Sequence, residues 1–229
     1  MTRLEELAKE YVVGPAGVAA LRAILDLLAS DDTAPTTVRD PERAVDVHVA
    51  DSLSGLVLEE VRSARAIADL GSGAGFPGLA LAAALPKAHV SLVESVGRKC
   101  AFMERAIGAA GLSNAEVVCQ RAEEWQATND VVTARALAPL AAIAEYAAPL
   151  LRAGGGLVAW KGARDAGEEA DAAAAAGVLG LEPRGVRRVE PFPGAEQRHL
   201  HLYSKVRPTP SRFPRRAGMA RKRPLAGSS

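Results

Sequence analysis

The ten residues DLGSGAGFPG, from Asp69 to Gly78, contain four glycines and one proline. They follow a short apolar run and precede a segment whose apolar residues recur with helical spacing. Glycine loses more backbone freedom on folding than any other residue, so this many glycines destabilise a chain unless the backbone needs them. A strand, a glycine-rich loop and a helix in this order are typical of a nucleotide-binding turn at the carboxyl end of a parallel strand.

The spacing of the glycines bears on which nucleotide cofactor the loop would bind. The dinucleotide pattern is GxGxxG, whereas here Asp69 stands two residues before the alternating glycines Gly71, Gly73 and Gly75. A carboxylate at that place suits the α-amino group and sulfonium of S-adenosylmethionine (SAM) better than a pyrophosphate. Glu94, at the end of the next predicted strand, is placed to accept hydrogen bonds from ribose hydroxyls, which both SAM and NAD carry. We expect these five residues to bind the cofactor.

Beyond the glycine loop, short apolar runs alternate with longer segments of helical periodicity. This βαβα order predicts a mostly parallel sheet covered by helices on both faces. Helices are predicted near Gly78–Ala84, Arg98–Ala110, Leu137–Leu151 and Asp165–Ala176. Strands are predicted near Ala66–Leu70, His89–Glu94, Glu116–Gln120, Asp130–Ala134 and Gly156–Trp160, with a terminal antiparallel hairpin near Arg187–Pro191 and His199–Lys205.

The chain divides into three parts by pattern and composition. Residues 1–64 are predicted to form a helical extension, because their apolar residues recur at three and four. Residues 65–205 form the predicted α/β core, and residues 206–229 form a basic tail. From Lys205 onward the chain has eight basic and no acidic residues, so the preceding part carries a net charge of −7. A basic tail on an acidic body indicates a polyanionic partner.

The composition, with 48% hydrophobic and 24% charged residues, is that of a globular protein. The charged N-terminus lacks the apolar core of a signal peptide, and no long apolar stretch is free of charge. We therefore expect a cytoplasmic protein in which Cys100 and Cys119 are buried reduced thiols. The four histidines show no ligand spacing with acids or cysteines, so no metal site is expected.

Several motifs of the chain together resemble the RsmG family, also called glucose-inhibited division protein B. They are DLGSGAGFPGLALA, VSLVESVGRKCAFM, NAEVVCQRAEEW, DVVTARALAPL and GGGLVAWKG in the core, HVADSL in the helical part and RFPRRAGMARKRPL in the tail. The resemblance covers roughly residues 36–225. Two family features are missing: Val47 stands where a basic residue usually precedes the histidine, and TAPTTVRDPE lacks an Asn-Leu-Thr signature. These departures affect RNA contacts more than cofactor binding.

The resemblance implies a Rossmann-like class I SAM-dependent methyltransferase fold, an α/β fold whose seven-stranded, mostly parallel sheet has an antiparallel last strand. It implies an enzyme that methylates N7 of a guanine in the 530 loop of 16S rRNA, as naked RNA or in the small ribosomal subunit. No obligate protein partner is evident. Three alternatives stay open: a SAM-dependent methyltransferase with another acceptor, an NAD(P)-dependent oxidoreductase, and an RNA-binding module that has lost its activity.

The resemblance also gives roles to residues near the predicted strand ends. Gly71 would lie against the methionine part of SAM, and Phe76 would offer an apolar wall. Ala122 and Glu123 match a pair that contacts the adenine end of SAM in the family. A small residue leaves room for the ring, and a carboxylate or backbone N–H beside it can meet the adenine edge.

Arg135 matches an active-site arginine of the family and is our candidate for both a catalytic and a cofactor-binding residue. Its guanidinium would hold either the carboxylate of SAM or a phosphate of the target nucleotide. A structural ion pair, with Asp69 or Glu94, is the alternative role. Lys161, after the fifth predicted strand, would either contact an RNA phosphate or stay solvated.

Two further groups of residues are candidates for substrate contact. His48 and Asp51 are three residues apart and share a helix face, which fits either an orienting pair or a substrate contact. The tail is either an RNA-binding segment or a disordered solubilising one. If it binds RNA, its arginines would form bidentate hydrogen bonds with phosphates, and Phe213 would stack on a base. The tail candidates for RNA binding are Arg212, Arg215, Arg216 and Lys222.

Overall fold

The computed structural model describes residues 1–225, which contain seven strands joined in one sheet. The strands are β1 Ala66–Leu70, β2 His89–Val93, β3 Ala115–Val118, β4 Asn129–Arg135, β5 Leu151–Lys161, β6 Leu181–Val189 and β7 Arg198–Lys205. Their order across the sheet is β3-β2-β1-β4-β5-β7-β6. Every pairing among the first five strands is parallel, and β7 lies antiparallel to both β5 and β6. This confirms the predicted sheet with its antiparallel last strand.

The parallel strands bring their carboxyl ends to a single edge of the sheet. The antiparallel register of β5 and β7 places the start of β7 at that edge as well, because Lys161 at the end of β5 lies opposite His199. Segments far apart in sequence therefore meet at this edge.

Helices connect the strands and form the N-terminal extension. α1 begins with a capping box, in which Thr2 and Glu5 each accept a hydrogen bond from the other's backbone N–H. Between α3 and α4 the chain forms a π-helical segment, Val45–Ala50, and a 3-10 turn, Ser54–Val57, follows α4. The helices are α1 Arg3–Glu10, α2 Pro15–Ser30, α3 Pro41–Ala44, α4 Asp51–Leu53, α5 Glu59–Ser63, α6 Gly78–Ala84, α7 Gly97–Ala110, α8 Leu140–Ala147, α9 Ala166–Leu179 and α10 Met219–Lys222.

Two apolar clusters hold the layers together, one on each face of the sheet. The first packs the N-terminal helices, α6 and α7 against the sheet, and its fully buried side chains include Leu21, Leu79 and Phe102. The second packs α8, α9 and the tail residue Phe213 against the opposite face. Each fully buried large apolar side chain contributes ~1.5–3 kcal/mol to folding. Within residues 1–225, no helix is long and apolar enough to cross a membrane.

Two strands begin earlier than the sequence pattern predicts. β5 begins at Leu151 rather than near Gly156, so the preceding α-helix ends at Ala147, and a single 3-10 turn follows it. β6 begins at Leu181 rather than near Arg187. It is an edge strand whose side chains are mostly exposed, so it lacks the alternation of apolar and polar residues that identifies a half-buried strand.

The two cysteines are not the buried reduced thiols that the composition indicates. Cys100 in α7 is buried, but Cys119, just after β3, is exposed, and the two sulfur atoms form a disulfide. Their Cα atoms are 5.8 Å apart, within the usual range for a disulfide. The pairing depends on the packing of α7 beside β3, which a separation of 19 residues does not reveal.

Candidate functional site

The glycine loop between β1 and α6 has a left-handed backbone at its alternating glycines. Gly71 has φ +64°, and a Cβ added there would lie 2.4 Å from the Leu137 side chain. Its N–H donates to the carbonyl of Val93 at 2.8 Å, which ties the loop to the end of β2. Only glycine satisfies both the backbone angle and the close approach, and the loop therefore presents bare backbone at the sheet edge.

Asp69 supports this loop from beneath rather than facing solvent. Its side chain is fully buried and accepts hydrogen bonds from the Gly78 N–H at 3.0 Å and the Thr133 hydroxyl at 2.9 Å. Burial raises the pKa of Asp69 to about 6. The sequence predicts that Asp69 binds the cofactor directly, whereas the structure shows it holding the loop to the start of α6.

Glu94 follows β2 and joins two loops at the edge of the sheet. One carboxylate oxygen accepts the backbone N–H groups of Ser95 and Val96 at 2.8 and 3.0 Å. The other accepts the N–H of Gly73 at 3.3 Å and lies 3.5 Å from the Lys99 ammonium. Protein groups therefore hold the carboxylate, a hydrogen-bond acceptor, in a fixed orientation.

A cavity of about 490 Å³ opens between these loops, and we call it the cofactor cavity. The predicted residues Gly71, Glu94, Ala122 and Glu123 line it, together with Lys222 from the tail. Its volume is within the range of pockets that hold small ligands and cofactors. The bare Gly71 backbone and the oriented Glu94 carboxylate fit a nucleoside that brings ribose hydroxyls. Other lining residues include Ala136, Leu137, Ala138, Tyr146, Gly218 and Arg221.

Beside the cavity lies a cluster of charged and polar side chains, which we call the ion cluster: His48, Asp51, Arg135 and Arg198. Arg135, the last residue of β4, donates to the Asp51 carboxylate at 2.8 Å and to the carbonyl of Val47 at 3.0 Å. The other oxygen of Asp51 lies 3.4 Å from the Arg198 Nε. Asp51 is only 3% exposed, so it is a buried carboxylate between two guanidinium groups. The partner of Arg135 is thus Asp51, not Asp69 or Glu94.

His48 joins the ion cluster to the glycine loop. Its ring stacks on Phe76 with centroids 4.9 Å apart, and its Nε2 lies 3.0 Å from the Thr36 hydroxyl. The guanidinium of Arg135 lies 5.9 Å from the centroid of the same Phe76 ring. Burial, together with the positive charge of Arg135, lowers the pKa of His48 to about 4. The imidazole is therefore neutral at pH 7, and its Nδ1 has no hydrogen-bond partner among the described residues.

The remaining predicted residues lie around these two features. Gly73, Gly75 and Phe76 belong to the glycine loop but do not line the cofactor cavity, and neither does Arg135. Lys161 donates to the Glu168 carboxylate at 2.7 Å, so its ammonium is paired with a neighbouring helix.

The tail residues differ from one another in their contacts. Arg215 forms an ion pair with the buried Glu145 at 2.6 Å. Arg212 lies over the ring of Phe213, 5.0 Å from its centroid, and is exposed. Within the part of the chain that the structure describes, Arg216 forms no ion pair. Arg212 and Arg216 are thus more available to a phosphate than Arg215.

Sequence reasoning missed Arg198, Thr36 and Glu145. Arg198 opens β7, about sixty residues after Arg135, and only the antiparallel pairing of β7 with β5 brings it to Asp51. Thr36 lies in a loop with no regular pattern, and Glu145 lies on a helix face that packs against the tail. Spacing along the chain carries no signal for such contacts.

Comparison with known proteins places the chain among RNA-modifying enzymes. The GidB family model, described as rRNA small subunit methyltransferase G, matches residues 23–200. The ribosomal RNA small subunit methyltransferase G of Rubrobacter xylanophilus is 44% identical over 198 residues, which are 82% of this chain and 76% of that protein. The protein of the same name from Symbiobacterium thermophilum is 38% identical over 224 residues, 92% and 91% of the two chains.

Solved structures agree on the fold at much lower identity. The S-adenosylmethionine-dependent methyltransferase SibL superposes with a TM-score of 0.55 at 15% identity, over 68% of this chain and 55% of that protein. The chain therefore spans little more than half the length of SibL. A variant of MtNAS in complex with S-adenosylmethionine gives a TM-score of 0.55 at 15% identity, over 89% of this chain and 78% of that protein. The architecture is that of class I SAM-dependent methyltransferases.

Proposed function

Because the chain belongs to the GidB family, rRNA small subunit methyltransferase G, we propose that it transfers a methyl group from SAM to N7 of a guanine in the 530 loop of 16S rRNA. The observation that carries this proposal is the adjacency of the two features at the sheet edge. Ala136 lines the cofactor cavity, and the preceding residue, Arg135, belongs to the ion cluster. A cofactor and an acceptor base would thus meet at the end of β4.

On this proposal, the residues that line the cofactor cavity hold SAM. Glu94 accepts hydrogen bonds from the ribose hydroxyls, because its carboxylate is already oriented by backbone N–H groups. Gly71 lets the methionine part lie against the backbone, and Ala122 leaves room for the adenine ring. Asp69, Gly73 and Gly75 contribute by shaping the loop rather than by facing the cavity. The oxidoreductase alternative loses its support, since the relatives are named as methyltransferases.

Catalysis on this proposal is positioning. SAM supplies a methyl group that is activated by the positive charge on its sulfur. Guanine N7 carries a lone pair and needs no deprotonation, so the chain need not supply a general base. The residues must hold the base so that N7 approaches the methyl carbon in line with the sulfur, and such alignment accounts for much of the acceleration in reactions of this kind.

Arg135 is the residue that we assign to the substrate side of the site. Its Nη1 donates hydrogen bonds to Asp51 and to the carbonyl of Val47, while its Nε and Nη2 make no hydrogen bond within residues 1–225. It does not line the cofactor cavity, which favours a phosphate of the target nucleotide over the SAM carboxylate as its ligand. The methylated guanine is cationic, so a nearby guanidinium would not stabilise the transferred charge directly.

The RNA would approach the same edge from the tail side. We propose Arg212, Arg216 and Lys222 as contacts to the RNA backbone, and leave Arg215 out because Glu145 already holds its guanidinium. In helical RNA the major groove is deep and narrow, so an exposed loop base is the better acceptor. The substrate would be 16S rRNA or the small ribosomal subunit, and the protein would act in the cytoplasm, where that subunit is assembled.

Transfer of label from methyl-labelled SAM tests the proposal directly. The wild-type protein is incubated with naked 16S rRNA and, separately, with small subunits that lack the modification, and labelled bases are mapped by nuclease digestion and mass spectrometry. We expect label on N7 of one guanine in the 530 loop, and the better acceptor identifies the assembly stage. Binding of SAM without label in either RNA would contradict the acceptor assignment.

The role of Arg135 is tested by separating cofactor affinity from turnover. Arg135→Ala is expected to lower turnover roughly 100-fold, the effect of a misplaced substrate, while the Kd for SAM stays within about twofold of wild type. Arg184→Ala, on the exposed edge strand β6, is the control for removal of one arginine. A large loss of SAM affinity in Arg135→Ala would instead point to the SAM carboxylate as the ligand.

A further inference from the structure

The C-terminal tail is folded against the catalytic core rather than extended into solvent. Phe213 is 8% exposed and Ala220 is 1% exposed, and both pack with the apolar cluster of α8. The short helix α10 contacts α8 directly. The tail therefore occupies a defined place beside the cofactor cavity, which Gly218, Arg221 and Lys222 help to line.

One buried ion pair fixes the tail in that place. Glu145 on α8 is fully buried, and its carboxylate accepts the backbone N–H of Arg215 at 2.9 Å and its Nη2 at 2.6 Å. The same Nη2 donates to the carbonyl of Arg223 at 2.9 Å, so the two ends of the segment are tied together. A buried carboxylate without its partner is strongly unfavourable, which holds the tail on α8.

Three residues beyond Arg215, the tail touches a residue of the cofactor cavity. The N–H of Gly218 donates to Glu123 Oε1 at 2.7 Å. Within residues 1–225, Glu123 Oε2 receives no hydrogen bond, and the side chain lines the cavity. One oxygen of this carboxylate is thus held by the tail, and the other stays available to a ligand.

The family resemblance already assigns Glu123 to the adenine end of SAM. Beyond that assignment, we propose that the tail is a positioning element of the cofactor site: Arg215 anchors it on Glu145, and Gly218 holds Glu123 Oε1 so that Oε2 is presented to the exocyclic amino group of adenine. This inference rests on the proposed function, because it takes SAM as the ligand of the cavity. A carboxylate that is held in place discriminates against a purine that carries a carbonyl oxygen at that position, since two acceptors then face each other. The tail would therefore contribute selectivity for adenine as well as affinity.

Calorimetric titration of the full-length protein tests the proposal, with S-adenosylhomocysteine and its hypoxanthine counterpart as ligands. Wild type should prefer the adenine compound, and Glu123→Gln should lose most of that preference. Arg215→Ala is expected to weaken S-adenosylhomocysteine binding about 10-fold and to reduce the preference toward that of Glu123→Gln. Arg223→Ala removes one exposed positive charge from the same segment and should leave both quantities unchanged.

Hydrogen exchange of the wild-type protein covers the case in which Arg215→Ala does not fold. Binding of S-adenosylhomocysteine should slow exchange of the amides in residues 215–222 at least several-fold, because the ligand fixes Glu123, which accepts the N–H of Gly218 within this segment. Unchanged exchange there, or an Arg215→Ala variant with wild-type affinity and preference, would overturn this inference while leaving the methyltransferase proposal intact. A wild-type protein that binds neither SAM nor S-adenosylhomocysteine would overturn both.

Discussion

The cofactor cavity lies between loops that follow neighbouring strands, whereas the ion cluster is built from charged side chains around the buried carboxylate of Asp51. The cavity draws on loops that follow β1 to β4 in regular order. The ion cluster joins a π-helical segment, α4, β4 and β7, which are distant in the chain. We therefore expect an added side-chain atom to disturb the cofactor cavity most, and the loss of a charge to disturb the ion cluster most.

Removal of the central charge of the ion cluster should have the largest effect. Asp51→Ala removes the buried carboxylate that the mostly buried Arg135 and the partly exposed Arg198 share. We expect the free energy of unfolding to fall by about 3–5 kcal/mol, as for other broken buried ion pairs. Urea denaturation measures this, and Asp51→Asn should lose less because its amide oxygen still accepts a hydrogen bond. A loss below about 1 kcal/mol, the range of exposed pairs, would show that the cluster is not effectively buried.

The next effect concerns pH and His48. Its pKa of about 4 in the folded state lies below its ordinary value, so the unfolded chain takes up a proton first as the pH falls. The histidine therefore lowers the stability of the folded state by up to about 3 kcal/mol between pH 7 and pH 4. His48→Gln lacks this titration, so the stability difference between wild type and variant should shrink in acid.

The wild type must be compared with His48→Gln because Asp69 changes the stability of the folded state in the opposite direction as the pH falls. Burial raises its pKa to about 6, so the folded state gains stability as the pH falls through that value, and the net pH dependence of the wild type is partly masked. Urea denaturation of wild type and His48→Gln at several pH values isolates the histidine. Parallel stability curves for the two proteins would contradict a buried neutral imidazole.

The smallest effect on stability is expected in the glycine loop, where the effect on binding is large. Gly71→Ala would place a Cβ 2.4 Å from Leu137 at φ +64°, and backbone strain alone costs about 1–2 kcal/mol. We expect the displaced Leu137 to narrow the cavity and to weaken SAM binding at least about 10-fold, a loss of ~1.4 kcal/mol in calorimetry.

Gly73→Ala is the matched variant for that measurement. Gly73 has a similar φ of +61°, but an added Cβ would meet nothing closer than 3.8 Å. Gly73→Ala should therefore lose stability through backbone strain, as Gly71→Ala does, but should lose less affinity for SAM than Gly71→Ala. Equal losses of affinity in the two variants would show that the strained backbone, and not the contact with Leu137, governs the cavity.

The same contrast separates what could be predicted from what could not. Alternating glycines after a strand and an acid at the end of the next strand are local patterns. Gly71 and Glu94, which these patterns single out, line the same cavity, and their binding of SAM stays a prediction. Asp69 belongs to the same pattern, but its side chain points into the core, where Gly78 and Thr133 donate hydrogen bonds to it. The local pattern does not show this orientation. The edge strand β6 was located only in part, because exposed strands have no apolar alternation.

The amino-acid sequence by itself determined the α/β order, the glycine loop and the acidic residue that follows β2, because these depend on periodicity and on backbone angles that are local properties of the chain. Only the tertiary structure decided that Arg135 pairs with Asp51, that Arg198 joins them, that Cys100 bonds Cys119 and that Arg215 anchors the tail on Glu145. Each of these contacts joins segments that are brought together by strand pairing or helix packing. Their energies depend on burial, which is a property of the whole fold.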